Sequence, residues 1–135
     1  MIGLLVTGHG RFGSGMVSAM EVIAGPAKWV EFVDFEADDS VGRLEEKLSQ
    51  ALASLLDACD CVLVLADLIG GSPFKSAVRI GVPTGKVEVV AGCNLGMLVE
   101  METARKFNDD VVGLAEQAAE TGRSAIGDLK GRKKK

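Results

Sequence analysis

Four short apolar runs alternate along this chain with longer segments that have helical periodicity. The runs are Ile2–Val6, Trp29–Phe35, Cys61–Ala66 and Val87–Ala91. Each has the length of a strand, is rich in aliphatic residues and ends near a turn signal. Short runs that are apolar throughout are typical of parallel strands covered on both faces. The alternation therefore predicts a parallel sheet enclosed between layers of helices.

The clearest helical segment is Ser40–Ala58, where leucines recur at three- and four-residue steps. The other predicted helices are Gly15–Ala24, Pro73–Ile80, Leu95–Phe107 and Asp110–Glu120, with Ile126–Leu129 as a short last element. This order predicts an α/β fold, a three-layer sandwich around a mostly parallel, doubly wound sheet with right-handed crossovers. We expect the common strand order 2-1-3-4.

The 135 residues fit one domain, which we place at residues 1–130, followed by a basic and disordered tail at 131–135. The formal net charge is -4 although the C-terminus is strongly basic, so the body of the chain is acidic. An acidic body argues against nucleic acid as a partner.

The three cysteines, Cys59, Cys61 and Cys93, all lie in apolar surroundings. An odd number of cysteines without a secretory signal indicates a reducing compartment, so we expect a cytoplasmic protein with buried thiols. No apolar run has transmembrane length. The cysteines have no metal-type spacing and the single histidine is distant in sequence, so we expect no metal site.

Two loops of unusual composition follow the first and third apolar runs. The first extends from Thr7 to Gly15 and contains His9, the only histidine, among several glycines. The second extends from Asp67 to Pro73 and contains Gly70, Gly71 and Ser72. In open α/β sheets the functional residues gather at the carboxyl ends of the strands, near the point where the strand order reverses. We therefore expect the two loops to face each other there.

Asp67 directly follows a buried run, where a carboxylate needs a partner. A carboxylate that accepts the proton of one imidazole nitrogen fixes the tautomer and leaves the other nitrogen free as a nucleophile. His9 and Asp67 would then form a catalytic pair. The alternatives are that His9 is a satisfied structural residue and that Asp67 only caps a turn.

Ser72 and Pro73 have the composition of a helix start, with Ser72 as the cap and Pro73 as the first helical residue. Together with Gly70 and Gly71 they predict a helix N-terminus that can bind an anion. A phosphoryl group in transfer carries charge on its equatorial oxygens, which free N–H groups and a hydroxyl would stabilise. The alternative is an ordinary capped helix.

These residues leave two classes of function open. One is a phosphoryl-transfer protein with His9 as nucleophile, and the other is a flavodoxin-like binding module for a phosphate-bearing ligand. The glycines from Gly8 match a dinucleotide pattern, with Asp34 near the position expected of a ribose-binding acid. That pattern leaves the Asp67–Ser72 loop unexplained, so we expect no nucleotide, flavin or other cofactor.

A family resemblance adds to this interpretation. It is carried by Gly8-His9-Gly10, by Asp67, by the stretch Gly70–Phe74, by Ala91–Leu95 with Met97-Leu98, and by Glu120–Arg123. In these motifs the chain resembles the IIA component of the mannose family of the bacterial phosphoenolpyruvate-dependent sugar phosphotransferase system. A related phosphocarrier subunit of dihydroxyacetone kinase systems shares an early histidine, but the Gly70–Phe74 stretch favours the sugar system.

The resemblance implies a phosphotransferase that works in sugar transport. His9 would accept a phosphoryl group on Nε2 from the phosphocarrier protein HPr, with Asp67 holding Nδ1, and pass it to a IIB component. The membrane would be reached only through the IIC/IID permease. Lys75 and Gly96 depart from the usual family pattern, and neither bears on the transfer group.

The resemblance also implies a homodimer in which an antiparallel C-terminal strand crosses to the sheet edge of the partner. Our candidate for that strand is Ser124–Leu129, in conflict with the helix predicted there. A second observation that favours a dimer is the group of apolar residues Leu95, Met97, Leu98 and Met101.

Overall fold

The sheet contains four parallel strands in the order β2-β1-β3-β4. In the computed structural model, which describes residues 1–132, the strands are β1 (Ile2–His9), β2 (Val30–Phe35), β3 (Cys61–Ala66) and β4 (Val87–Val90). The predicted strand order is confirmed, and the order reverses between the two central strands, β1 and β3.

Helices connect the strands and cover both faces of the sheet. They are α1 (Phe12–Ala24), α2 (Val41–Ala58), α3 (Ser72–Gly81), α4 (Leu95–Ala104), α5 (Val111–Ser124) and α6 (Leu129–Arg132), with single 3-10 turns at Val82–Thr84 and Arg105–Phe107. The start of α2 follows the sequence closely, because Ser40 caps it by accepting the backbone N–H of Arg43 at 3.0 Å.

The two faces of the sheet form two separate apolar cores. Leu63 and Leu65 of β3 face a core shared with α1, α4 and α5, whereas Val62 and Val64 face a core shared with α2 and α3. Side chains alternate between the faces of a strand, so a strand covered on both faces must be apolar at every position. This explains why β3 is a continuous apolar run, whereas the edge strands β2 and β4 include Glu31, Asp34 and Glu88.

Two boundaries near the first loop differ from the sequence prediction. β1 continues to His9 rather than ending at Val6, because Gly8 and His9 remain in register with β2. His9 is thus the last residue of a strand and not a loop residue. α1 begins at Phe12, three residues before the predicted start at Gly15.

The segment Ser124–Leu129 forms no strand in the described chain. Ser124 is the last residue of α5, Leu129 is the first of α6, and neither an antiparallel nor a fifth strand joins the sheet of residues 1–132. The predicted helix at Ile126–Leu129 is also displaced, since a helix begins only at Leu129.

The apolar set that motivated a dimer belongs to the protein's own core. Met97, Leu98 and Met101 are buried against the sheet, and Leu95 packs beside them. These residues therefore supply no exposed surface for a second copy. Of the predicted basic tail, Gly131 and Arg132 lie in α6, and Lys133–Lys135 lie outside the described residues.

A buried arginine, Arg105, binds the end of the sheet that lies opposite to the loops after β1 and β3. Arg105, just after α4, donates to Glu102 at 2.9 Å and to the backbone carbonyls of Ile2 at 3.0 Å and Lys28 at 2.5 Å. A buried charge needs such partners. This network ties α4 to the starts of β1 and β2.

Candidate functional site

His9 and Asp67 meet at the carboxyl end of the sheet, as the sequence predicted. One carboxylate oxygen of Asp67, Oδ2, lies 2.8 Å from Nδ1 of His9 and also accepts the backbone N–H of His9 at 2.9 Å. The other oxygen, Oδ1, accepts the N–H of Leu68 at 2.8 Å. Asp67 therefore holds both the backbone and the ring of His9.

The environment of Asp67 keeps its carboxylate ionised. Burial alone would raise the pKa of this carboxyl, but the hydrogen bonds from the His9 backbone, the His9 ring and the Leu68 backbone outweigh it and lower the pKa below the usual value. An ionised carboxylate can only accept hydrogen bonds, so this contact favours the tautomer of the neutral His9 ring that carries its proton on Nδ1. The lone pair of the imidazole is then on Nε2.

The side chains of His9 and Asp67 differ in exposure. The side chain of His9 is 46% exposed, whereas that of Asp67 is 12% exposed. Among the described residues, Nε2 has no hydrogen-bond partner. Phe35, at the end of β2, places its ring 5.9 Å from the imidazole, centroid to centroid. In the sequence, Phe35 is only a strand end, and no local pattern assigns it to the site.

The loop after β3 brings Gly71 against the His9 ring. A Cβ atom at Gly71 would lie 2.9 Å from Cε1 of the imidazole, closer than real contacts allow, so only glycine fits there without movement. Gly70 has a φ of 78°, in the left-handed region that glycine adopts at little cost. The two glycines thus let the backbone turn tightly beside the imidazole.

The start of α3 lies one residue earlier than predicted. Gly71 is the cap and Ser72 the first helical residue, and no side chain caps this helix. The N–H of Gly71 is used by the carbonyl of Leu68 at 3.2 Å. Within the described part of the chain, the N–H groups of Ser72 and Phe74 have no acceptor. The first turn of α3 therefore lies beside His9 and has backbone N–H groups without acceptors.

α1 also begins at this edge, and a carboxylate lies in its first turn, although the N–H groups of Phe12 and Gly13 have no acceptor within the described chain. Both carboxylate oxygens of Asp34 bind Ser14, with Oδ1 accepting its N–H at 2.9 Å and Oδ2 its hydroxyl at 2.7 Å. In a dinucleotide-binding fold this helix start would receive the pyrophosphate. A carboxylate already lies there and is engaged by Ser14, so the binding-module alternative is not favoured.

The thiol of Cys93, close enough to Asp67 to feel its charge, is a poor nucleophile. Burial, together with the negative charge of Asp67, raises the pKa of the Cys93 thiol to about 12, so the thiol stays protonated. The backbone N–H of Cys93 instead helps to position the Asp67 loop, because it donates to the carbonyl of Ala66 at 2.9 Å.

Across residues 1–132, no three His, Cys, Asp or Glu side chains are grouped in a way that could hold a metal ion. Within the same range, none of the helices is both long enough and apolar enough to span a membrane.

Comparison with known proteins gives concordant results. Residues 3–119 match the family model for the fructose IIA component of the phosphotransferase system (PTS), of the mannose type. The chain is 36% identical over 129 residues to the mannose-specific EIIAB component of Escherichia coli K12, covering 96% of this chain and 40% of that protein. It is 29% identical over 106 residues to the fructose-specific EIIA component of Bacillus subtilis, covering 78% of this chain and 72% of that protein.

Solved structures show the same fold. An EIIA component from Streptococcus agalactiae superposes with a TM-score of 0.84 at 30% identity, covering 96% of this chain and 98% of its own. A PTS IIA protein associated with the fucose utilization operon of Streptococcus pneumoniae gives a TM-score of 0.87 at 26% identity, covering 97% of this chain and 95% of its own.

The chain spans 40% of the length of the E. coli relative that it matches. The family model, in contrast, covers most of the chain, and the fold agrees throughout. The chain belongs to the family of PTS IIA components, the phosphocarrier components of sugar phosphotransferase systems.

Proposed function

We propose that this chain carries a phosphoryl group on Nε2 of His9, taken from phosphorylated HPr and passed to a IIB component. The observation that supports this most directly is the placement of one Asp67 oxygen 2.8 Å from Nδ1, on an imidazole whose ring is 46% exposed. The held nitrogen carries the proton, and the exposed one is available to a partner protein.

In the proposed step, Nε2 attacks the phosphorus of phospho-HPr. A P–N bond forms at His9 while the P–N bond to the donor histidine breaks. The imidazole of His9 keeps its proton on Nδ1 and gains positive charge, which the ionised Asp67 stabilises. The second transfer reverses this change, since the phosphoryl group leaves Nε2 for the IIB acceptor and the imidazole becomes neutral again.

The equatorial oxygens of the phosphoryl group need donors during both transfers. We assign this role to the start of α3, through the N–H and hydroxyl of Ser72 and the turn formed by Gly70 and Gly71. Gly71 contributes by allowing the close approach of backbone to ring rather than by its own N–H, which Leu68 already uses. Electrostatic stabilisation of this kind is the largest contribution in many enzymes.

The proposal places the chain in the cytoplasm, where its three buried thiols would stay reduced. It would reach the membrane only through a IIC/IID permease. The named sugars differ among the relatives, which include mannose-, fructose- and sorbose-specific components, so we assign no sugar.

We also propose a homodimer. The support is no longer the α4 residues but the segment after α5, where Ile126 and Leu129 are 77% and 78% exposed. β4 is an edge strand, and its outer side has no strand partner in the described chain. Sedimentation at micromolar concentration should give twice the monomer mass, and a monomer there would contradict this part of the proposal.

The central test is the chemistry and location of the phosphate. The protein should be incubated with phosphoenolpyruvate, Enzyme I and a cognate HPr, and the adduct analysed by intact mass before and after acid treatment. We expect an acid-labile adduct that is absent from His9→Ala and present in Ser72→Ala, because phosphohistidine is acid-labile and phosphoserine is not. An acid-stable adduct, labelling of His9→Ala, or no labelling of folded wild type would contradict the proposal.

A further inference from the structure

A second carboxylate flanks the strand that carries His9. In the register of the sheet, Asp34 of β2 is the partner of Gly8. On the other side of β1, Ala66 of β3 is the partner of Thr7, so Asp67 follows at the level of Gly8. Asp34 and Asp67 therefore stand on either side of the last residues of β1, and only Asp67 touches the imidazole.

Asp34 replaces the cap that α1 lacks. The cap residue of α1 is Arg11, whose side chain makes no capping hydrogen bond. The N–H of Ser14, in the first turn, is instead accepted by Asp34 at 2.9 Å, and the Ser14 hydroxyl donates to the same carboxylate at 2.7 Å. The side-chain acceptor for this N–H normally comes from a Ser, Thr, Asp or Asn at the cap position. Here it comes from a residue 20 positions away in sequence.

The first turn of α1 is packed against the strand ends without free space. A Cβ atom at Gly13 would lie 2.8 Å from the carbonyl oxygen of Val6 and 3.0 Å from Oδ1 of Asp34. Gly10, which directly follows His9, donates its N–H to the carbonyl of Phe35 at 2.7 Å. The backbone on the C-terminal side of His9 is therefore held by β2 at two points, Asp34 and Phe35.

We propose that Asp34 is a positioning residue for His9. By binding Ser14, Asp34 fixes the first turn of α1 and, through the short link of Gly10 and Arg11, the backbone of His9. Asp67 alone fixes one edge of the imidazole, whereas Asp34 prevents the strand end from moving away from Asp67. This inference rests on the proposed function of His9.

The same carboxylate has a second consequence for where the phosphoryl group can lie. Two helix N-termini point to this edge, and the donors of both would attract an anion. Asp34 occupies the Ser14 donors at the start of α1. The phosphoryl group is thereby directed towards α3, whose first-turn donors face His9.

The test compares Asp34→Ala and Asp34→Asn with the matched control Asp39→Ala. Asn at position 34 can accept the Ser14 N–H and donate to the Ser14 hydroxyl, so it should preserve the contact. Asp39 lies in the loop after β2 and accepts the N–H of Glu36 at 2.9 Å and Nζ of Lys47 at 2.8 Å, without touching α1. The control therefore removes a nearby carboxylate but leaves the start of α1 intact.

Two measurements are needed for each variant. The first is the nitrogen NMR spectrum of the single imidazole in the unphosphorylated protein, which reports the Nδ1–H bond to Asp67 and requires no partner. The second is the rate of phosphohistidine formation at saturating phospho-HPr. A loss of general stability would not move the imidazole spectrum of the folded protein, whereas displacement of His9 would.

We expect Asp34→Ala to weaken the Nδ1–H signal and to slow phosphorylation about 10-fold or more, because small misplacement of a reacting group is costly. Asp34→Asn and Asp39→Ala should keep the wild-type spectrum and rate. A wild-type spectrum and rate in Asp34→Ala, or an equal loss in Asp39→Ala, would overturn the inference.

If Asp34→Ala does not fold, Ser14→Ala decides the question, because it removes only the hydroxyl contact. A rate that is 2- to 3-fold slower, roughly the effect of losing one hydrogen bond, together with an altered spectrum would support the inference. An unchanged spectrum and rate would overturn it. A wild-type protein that is never phosphorylated contradicts the proposed function instead, and the imidazole spectra still test the role of Asp34.

Discussion

The two strand-to-helix junctions at the carboxyl end of the sheet look alike in sequence but differ in structure. Both follow a central strand, contain several glycines and lead into a helix whose own cap residue, Arg11 or Gly71, gives no side-chain hydrogen bond. At the β1–α1 junction, the carboxylate of Asp34 accepts the N–H and the hydroxyl of Ser14 in the first turn of the helix. At the β3–α3 junction, the described chain places no side chain there.

This difference teaches that a glycine-rich helix start is not by itself an anion site. What matters is whether another part of the fold already supplies an acceptor. On the proposed function, the β1–α1 junction carries the nucleophile His9, and the β3–α3 junction supplies the carboxylate of Asp67 and the N–H donors of α3. The two junctions therefore have separate tasks in the proposed transfer, and the variants below test that separation.

The largest effect should come from Asp67→Asn, which changes the link between the two junctions. The amide can still hydrogen-bond to His9, but it cannot balance the positive charge of the phosphorylated imidazole, and it no longer enforces the tautomer. We expect a folded protein with phosphorylation slowed about 100-fold. Rapid-quench measurement of phosphohistidine formation would check this, and a near-wild-type rate would show that Asp67 is only a turn residue.

An added methyl group should slow phosphoryl transfer at the β3–α3 junction but not at the start of α1. Gly71→Ala places a Cβ atom 2.9 Å from Cε1 of His9, so the ring or the loop must move, and we expect about 10-fold slower transfer. Gly15→Ala in α1 meets nothing within 4 Å and should leave transfer unchanged while stabilising the helix by about 0.5–1 kcal/mol. Equal transfer rates in the two variants would argue against close packing at His9.

Two serines at helix starts should give opposite results. Ser72→Ala removes a hydroxyl that makes no capping bond, so transfer should fall about 5-fold, less than for one full oxyanion donor, with little change in stability. Ser40→Ala removes the cap of α2 and should cost about 1 kcal/mol of unfolding free energy without slowing transfer. Urea unfolding and transfer rates together test this, and a slower Ser40→Ala would contradict it.

The smallest effect concerns stability in acid. The pKa of Asp67 is lowered in the folded protein. Its ionised form therefore stabilises the fold above the unfolded-state pKa, which is about 3.9. This contribution is lost as the pH falls through the pKa of the folded state. Asp67→Asn should therefore be less stable than wild type at neutral pH, and the gap should narrow below about pH 4. Urea unfolding curves at a series of pH values measure the gap. A difference in unfolding free energy that widens in acid would contradict the predicted direction of the effect.

The sequence predicted those parts of the fold that depend on local patterns. The four strands and the helices of the α/β layers follow from periodicity, and the cap at Ser40 marks the start of α2 almost to the residue. The pairing of His9 with Asp67 was also predictable, because the ends of neighbouring parallel strands must meet.

The errors arise where a distant residue decides a local structure. α1 begins three residues before the predicted start, where Asp34, on another strand, accepts the N–H of Ser14 in its first turn. β1 reaches His9 because β2 continues to pair with it, and Phe35 joins the site for the same reason. Burial of Met97 and Leu98 in the protein's own core could not be distinguished in sequence from an apolar surface. Contacts between elements, not propensities, determine these features.

His9 stands at the end of a strand that is fixed on both sides, and it offers its surroundings a single open nitrogen. A carrier on a flexible arm could swing between two docked partners, but this one cannot. On the proposed function, the donor and the acceptor must therefore visit the same spot in turn, and each excludes the other. Such a relay follows double-displacement kinetics, in which an excess of either partner obstructs the step that belongs to the other.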